Sequence, residues 1–261
     1  MTGSSRFGWV LGAPLLALIL LPFVMLIGAS TPGELAAALG HPTLVDAAWL
    51  SARTSVIALL LIVAGGTPLS WWLARSQGWP VRVVETLVAL PIVVPPAVVG
   101  VALLEAYGRG SGVGGVLASL GWSVPFTTSA VVIAQVVVAA PFFVQSATAG
   151  FRRVDSDTLL VARTLGATRW RAFLRIAVPA AMPSLLAGAG LCWARAVGEF
   201  GATLLFAGSL QGRTQTMPLA IFTALEADVA LARSLSIWLG GAALVLLLAV
   251  RMMPVLRQER A

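Results

Sequence analysis

The sequence predicts an all-α integral membrane protein with about six transmembrane helices. Hydrophobic residues make up 59% of the chain and charged residues 10%. The mean hydropathy is +0.95. The apolar residues gather in six runs, each long enough for the roughly 20 helical residues that cross a bilayer. Lipid offers no partner to a free backbone group, so a span must satisfy its own and is read as helix. The alternating pattern of a transmembrane β-barrel is absent.

The first run is Phe7–Ala29. Arg6, the apolar stretch and Gly28-Ala29-Ser30 imitate a secretory signal. The run exceeds the roughly 7–15 apolar residues of a signal core, so a retained helix is expected. The second run is Ala47–Ala74 and the third is Val83–Ala106. Pro91, Pro95 and Pro96 interrupt the third; they free carbonyls and favour bends. Thr127–Ala149, Pro179–Ala207 and Ser234–Pro254 complete the set. Trp9, Trp49, Trp79 and Trp122 fall near span ends, as interfacial tryptophans do. The chain then divides into a first helix and outer loop (1–40), a transmembrane domain (41–254) and a short tail (255–261).

Charge orients these spans. The net charge is +7, and all the basic residues are arginine. With the N-terminus inside, twelve arginines lie inside: 6, 75, 82, 152, 153, 163, 169, 171, 175, 251, 257 and 260. Four lie outside, Arg53, Arg109, Arg213 and Arg233, and Arg195 falls within a span. This positive-inside bias puts both termini in the cytoplasm and accounts for the charge without nucleic acid. Of the acids, Glu85 falls at the inner end of the third span and Glu105 at its outer end, both interfacial.

The longest cytoplasmic loop, Gly150 to Val178, holds Arg163, Arg169, Arg171 and Arg175. It reads as two short helices. Asp155 or Ser156 caps the first and Gly166 ends it in a left-handed turn. Thr168 caps the second, and Trp170, Phe173, Leu174 and Ala177 form an apolar stripe at helical spacing. Pro179 suits the first turn of the next membrane helix. Periodicity leaves two readings open, a helix pair held to anionic lipid and a dock for a cytoplasmic partner.

Several chemistries are excluded. Without lysine there is no phosphate-binding loop GxxxxGK[ST], so any ATP must be bound by another subunit. One cysteine (Cys192) and one histidine (His41) exclude an internal disulfide and any cysteine-rich or histidine metal cluster.

The loop resembles the EAA-x3-G-x9-I-x-L-P motif of permease subunits of bacterial ABC importers. Leu160, Val161 and Ala162 stand at the EAA positions, Gly166 at the glycine, and Ile176 and Val178-Pro179 follow at matching spacing. The motif's Glu is replaced by Leu160. A second block, ARAVGEFGATLLFAGSLQGRTQTMPLAIFTALEAD (Ala194 to Asp228), is similar to permeases for molybdate, tungstate and sulfate, nearest the molybdate branch. LPIVVPPAVVG, Leu90 to Gly100, matches the group's third membrane helix. The resemblance covers roughly Ala47 to Met253. It implies a type I ABC importer permease fold in the bacterial inner membrane. It also implies a second permease chain, two ATP-binding subunits carrying ATP and Mg, and one extracytoplasmic binding protein. The permease itself is then not catalytic and binds no cofactor. Leu160, Val161, Ala162, Gly166, Arg169, Ile176 and Pro179 would form the ATPase-coupling loop.

Candidates for the translocation path or gate are Arg195, Glu199, Gly201 and Thr203. Charge inside a span is costly and a functional suspect. Arg195 and Glu199 are four apart and can pair, which makes a structural ion pair the first reading and a gate lining the second. Gly198 and Gly201 allow close helix approach. Thr203 offers a hydroxyl to an oxyanion or to its own backbone. The outer loop Gly208 to Met217 carries Ser209, Gln211, Arg213, Thr214, Gln215 and Thr216, set either to meet an oxyanion or binding protein or to be solvated. The alternative functions are an ion-coupled secondary transporter, for which no internal repeat is visible, and a membrane enzyme, for which no nucleophile–base set is visible.

Overall fold

Prolines, glycines and capping hydroxyls decide where the apolar runs start and stop. The computed structural model describes residues 3–252, and the described residues form helices and loops without a strand. α1 is Gly3–Gly28. Thr31 starts α2 (Pro32–Leu39) with a capping box: its hydroxyl accepts the Glu34 amide at 3.2 Å, and Glu34 Oε2 accepts the Thr31 amide at 2.9 Å. α3 (Pro42–Arg75) has 34 residues. At 1.5 Å per residue it is about 51 Å long, well over the roughly 30 Å of a bilayer core, so its ends project.

The third span is two helices, α4 (Trp79–Val93) and α5 (Pro96–Tyr107), bent by 115°. Pro95 and Pro96 have no amide hydrogen to continue the ladder, and Val94 before them is extended. α6 (Gly112–Ser119) follows, capped by the Ser111 hydroxyl on the Gly114 amide at 2.8 Å. α7 is Thr128–Arg152, and α8 (Ser156–Thr164) and α9 (Arg169–Ala172) make the cytoplasmic loop. A π-helical turn, Phe173–Ala177, joins α9 to α10 (Val178–Val197) without a gap. α11 (Gly201–Ala207), α12 (Met217–Ala227) and α13 (Val229–Met252) complete the chain. Five helical segments are long and apolar enough to cross a bilayer, and the bent α4–α5 pair makes a sixth.

α3, α7 and α10 form the central bundle, with Ile62, Phe143, Phe151, Phe173, Leu185 and Cys192 in its core. The α7–α10 crossing is close because serine and glycine alternate across it. A Cβ on Gly150 would lie 2.5 Å from Ser184 Cβ, and one on Gly188 would lie 2.8 Å from Ser146 Cβ. Ser146 Oγ donates to the Ser184 carbonyl at 2.7 Å. Each helix thus presents a Ser-x3-Gly pair to the other, the small-residue packing that lets membrane helices meet without a hydrophobic driving force. α5 and α11 pack on the outer half of α7 through Val99, Leu103, Val131 and Phe206. α12 and α13 close on the outer end of α3 through Leu44, Ala47, Met217 and Leu235. α1 meets the body along α13, and no residue of its span Leu11–Gly28 is buried.

Several expectations are corrected. The fifth span is not continuous to Ala207: its helix stops at Val197, and α11 begins only at Gly201. Pro179 stands in the first turn of α10, as expected, but no gap precedes that helix: helical structure runs unbroken from Arg169 to Val197. A proline ring clashes with the carbonyl four residues back, and the chain answers with the π-turn, where the Val178 amide bonds Phe173 O. The π-turn also splits the predicted stripe, burying Phe173 and Ala177 while Trp170 and Leu174 stay exposed. The short helices α2, α6 and α12 were not expected as helices. The tail 255–261, with Arg257 and Arg260, lies outside the described residues. Trp49, Trp79 and Trp122 are exposed.

Candidate functional site

The loop that joins α7 to α10 is built from local signals. Asp155 caps α8, accepting the Asp157 and Thr158 amides at 3.1 Å each and the Thr158 hydroxyl at 2.9 Å. The Thr158 hydroxyl, then these two amides, hold its carboxyl below the usual carboxylate range, with Arg75 adding to the effect. Gly166, at φ +88°, ends α8 in a left-handed turn. The Ala167 amide reaches Ala162 O at 3.0 Å and the Gly166 amide reaches Arg163 O at 3.1 Å, a Schellman closure. Thr168 then caps α9 through the Arg171 amide at 3.2 Å. Leu160, Val161, Leu165 and Trp170 stand 57–83% exposed, and α8 has no buried residue. Arg163, Arg169, Arg171 and Arg175 are exposed around them, Ala162 and Ile176 are half-buried, and Pro179 is exposed.

The root of this loop is aromatic. Trp71 on α3 meets Phe151 edge-on at 5.4 Å and Phe173 at 5.2 Å. Phe173 also stacks on Phe151 at 5.9 Å and on Trp170 at 5.4 Å. The Arg75 guanidinium lies 4.9 Å from the Trp71 ring centre and donates to Val154 O at 2.7 Å and Ser156 Oγ at 3.2 Å. Beside this root, Arg152 on α7 forms an ion pair with Glu85 on α4.

Deeper in the bundle, the breaks in the third and fifth spans meet. A Cβ on Gly201 would lie 3.1 Å from Pro96 Cβ, and one on Gly100 would lie 2.9 Å from Ala202 O. The motif segments around Pro95–Gly100 and Gly198–Ala202 are therefore one contact. Glu199 is fully buried there. Its Oε2 pairs with Arg195 at 2.7 Å, and its Oε1 accepts the Ala202 amide at 2.8 Å, capping α11. Thr203 is fully buried, and its hydroxyl has no hydrogen-bond partner among the described residues. A cavity of about 620 Å³ opens beside this junction between α3, α10, α12 and α13. Ser51, Ser55, Trp193, Gly198 and Met217 line it; Arg195, Glu199, Gly201 and Thr203 do not. Trp193 Nε1 donates to Ser55 Oγ at 3.0 Å, and the Met217 amide to Ser51 Oγ at 2.7 Å.

The outer loop is only partly solvated. Thr214, Gln215 and Thr216 are buried, whereas Gln211, Gly212 and Arg213 are exposed. Thr214 Oγ1 accepts the Leu210 amide at 3.0 Å and donates to Gly208 O at 3.1 Å, so these hydroxyls fold the loop.

Residues 66–256 match the family of binding-protein-dependent transport system inner membrane components. The chain belongs to this family. The chain is 42% identical over 207 residues to the molybdenum transport system permease protein ModB of Mycobacterium tuberculosis, covering 78% of each chain. It is 35% identical over 261 residues to the probable transport system permease protein NifC of Clostridium pasteurianum, covering 96% of this chain and 91% of the other. A third relative, the molybdate/tungstate transport system permease protein WtpB of Thermococcus kodakarensis, is 38% identical over 199 residues, covering 76% of this chain and 75% of the other. Among solved structures, the permease fold superposes on a bacterial alginate ABC transporter with its periplasmic protein at a TM-score of 0.71 and 18% identity, covering 95% and 94% of the two chains. It superposes on the MetNI methionine ABC transporter at 0.62 and 16%, covering 80% and 93%.

Sequence reasoning missed Arg75, Trp71 and Phe151 as parts of one root. Trp71 and Arg75 are one turn apart on α3, but Phe151 lies 76 residues beyond Arg75, and only tertiary contact joins it to them. The Ser-x3-Gly pairs at Ser146/Gly150 and Ser184/Gly188 were a legible small-xxx-small signal.

Proposed function

We propose that this chain is the membrane subunit of an ATP-driven importer that moves a tetrahedral oxyanion, molybdate first, then tungstate or sulfate, into the cytoplasm. The anion comes from an extracytoplasmic binding protein at the bacterial inner membrane. Two permease copies work with two ATP-binding subunits that hold ATP and Mg. Both termini are cytoplasmic. The observation that carries this reading is the loop α8–α9: rigidly capped at both ends, it holds Leu165 and Trp170 away from its own core and surrounds them with arginines. An apolar centre with a charged rim is the composition of a protein dock. Leu160, Val161, Ala162, Gly166, Arg169, Ile176 and Pro179 belong to this coupling element. The molybdenum and molybdate/tungstate relatives support the choice of cargo.

Arg195 and Glu199 hold the junction of the two broken spans, and Gly201 and Thr203 belong to the same hinge beside the path. Substrate-loaded receptor docks outside, the ATPases close inside, and the loop rocks the spans. The exposed Gln211 and Arg213 face the receptor.

The test is ATP hydrolysis by the permease assembled with its neighbouring ATP-binding subunit in liposomes, with receptor loaded with molybdate, tungstate or sulfate at equal occupancy. Stimulation by loaded receptor supports the importer, and the order of the anions identifies the cargo. Transport driven by an ion gradient without hydrolysis replaces it with a secondary transporter.

A further inference from the structure

Where the loop is fastened to the spans is a separate matter from where it docks. α10 continues directly from the loop, so motion of α9 reaches the fifth span along the chain. α3 has no such covalent route. It ends at Arg75, and the loop returns to it only through side chains.

Two contacts make that return. The Arg75 guanidinium reaches across to the end of α7. It donates to Val154 O at 2.7 Å and to Phe151 O at 3.5 Å, the latter already accepting the Val154 amide at 3.2 Å. Its other nitrogen reaches Ser156 Oγ, the first residue of α8, at 3.2 Å. One turn earlier, Trp71 is wedged between Phe151 and Phe173, and Phe173 continues to Trp170. Phe151 is fully buried and Phe173 nearly so, while Trp170 is 66% exposed. One ring train therefore runs from the exposed face of α9 to the cytoplasmic end of α3. It passes through the first residue of the π-turn.

We infer that Arg75 and Trp71 are positioning residues for energy coupling. They clamp both ends of the coupling loop to α3, so the loop moves α3 together with α10. Phe173 is the shared member: displacing α9 shifts a ring that is in contact with α3 and α7 together. Buried side chains of this kind repack between discrete arrangements rather than deform continuously, which suits them to pass on a rocking motion. This inference rests on the reading of α8–α9 as the ATPase dock.

The experiment uses the full permease–ATPase complex in liposomes with loaded receptor. It reads two quantities per assembled complex: the ratio of receptor-stimulated to receptor-free hydrolysis, and ATP consumed per anion imported. Arg75→Gln removes the charged fork, and Trp71→Leu keeps Arg75 but breaks the ring train. Both variants are expected to assemble, to lose stimulation by about fivefold or more, and to raise ATP consumed per anion, the scale of a typical coupling between sites. Arg75→Lys keeps the charge but not the fork and restores part of the loss. If either variant lowers only the amount of complex while both ratios stay at wild type, Arg75 and Trp71 are a structural brace and the inference is overturned. Trp170→Ala with Leu165→Ala tests the dock separately. Unchanged co-purification of the ATP-binding subunit with that double variant would sink the docking reading, whatever Arg75 does.

Discussion

Gly100 on α5 sits directly against Ala202 on α11: a Cβ at position 100 would stand 2.9 Å from the Ala202 carbonyl oxygen and 3.0 Å from its Cα. Both neighbours are backbone, so no rotamer change relieves the clash. Gly100→Ala is expected to destabilise the permease by about 1–3 kcal/mol, the cost of overpacking. Adjacent glycines give the control. A Cβ on Gly66 meets Phe143 Cδ1 at 2.8 Å, whereas one on Gly65 meets nothing within 4 Å. Thermal unfolding in detergent should rank Gly65→Ala near wild type and place Gly66→Ala and Gly100→Ala below it.

Glu199 performs two tasks, and its substitutions separate them. Glu199→Gln keeps an oxygen for the Ala202 amide and loses the ion pair with Arg195; Glu199→Ala loses both. Removing one partner of a buried pair costs about 3–5 kcal/mol. Arg195 is a quarter exposed, so the lower end is expected for Gln and a larger loss for Ala. Adding Arg195→Met to Glu199→Gln should recover part of the stability. A double-mutant cycle with no coupling between the two positions would contradict the pair.

The α7–α10 crossing predicts a swap. Gly150→Ala drives a methyl onto Ser184 Cβ, 2.5 Å away, and should lower both unfolding temperature and yield of folded permease. Ser184→Gly removes that Cβ. The double variant should therefore be more stable than Gly150→Ala alone, and a purely additive loss would refute the contact.

Asp155 gives the loop a defined pH response. Its carboxyl is held below the ordinary aspartate value of 3.8, so its cap is fully present above that pH and is lost as pH falls through the lowered value. Protection of the Asp157 and Thr158 amides from hydrogen exchange, corrected for intrinsic rates, should be flat from neutral pH down to 3.8 and fall below it. Asp155→Ala should remove that protection at neutral pH.

Cys192 is wholly buried on α10 and is the chain's one cysteine. Maleimide should label the permease only after unfolding. Rapid labelling of the folded complex would contradict the α3–α7–α10 core.

Long-period features were readable from residues alone. Six apolar runs gave six spans because a bilayer imposes length and hydropathy directly. Asp155, Gly166 and Thr168 gave the loop's shape because capping is local chemistry within four residues. What failed depended on contacts between distant segments. The fifth run looked continuous since Gly198 to Phe200 is short and apolar on both sides. Only the capping of α11 by Glu199 and the close fit of Gly201 on Pro96 explain its break. The outer loop looked solvated because Thr214, Gln215 and Thr216 are polar; Thr214 and Gln215 are buried because their neighbours supply the hydrogen bonds that make burial tolerable, while the buried Thr216 hydroxyl has no partner among the described residues. Arg75 was counted as one inner charge among twelve, and its hydrogen-bond partners lie at the distant junction of α7 and α8.

The π-turn at Phe173–Ala177 amounts to one surplus residue lodged in the helix between the α8–α9 loop and the fifth span. Deleting a single residue within it would restore α-helical pitch. The wider turn already absorbs the surplus residue, so Arg169 and Trp170 on its loop side would keep nearly the facing they have now relative to α10. The loop's aim relative to α10 is therefore insensitive to that residue, and what the turn supplies is a break in the α-helical hydrogen-bond ladder between the loop and the span. A chain of this kind can gain or lose one residue at this turn without re-aiming the loop it carries.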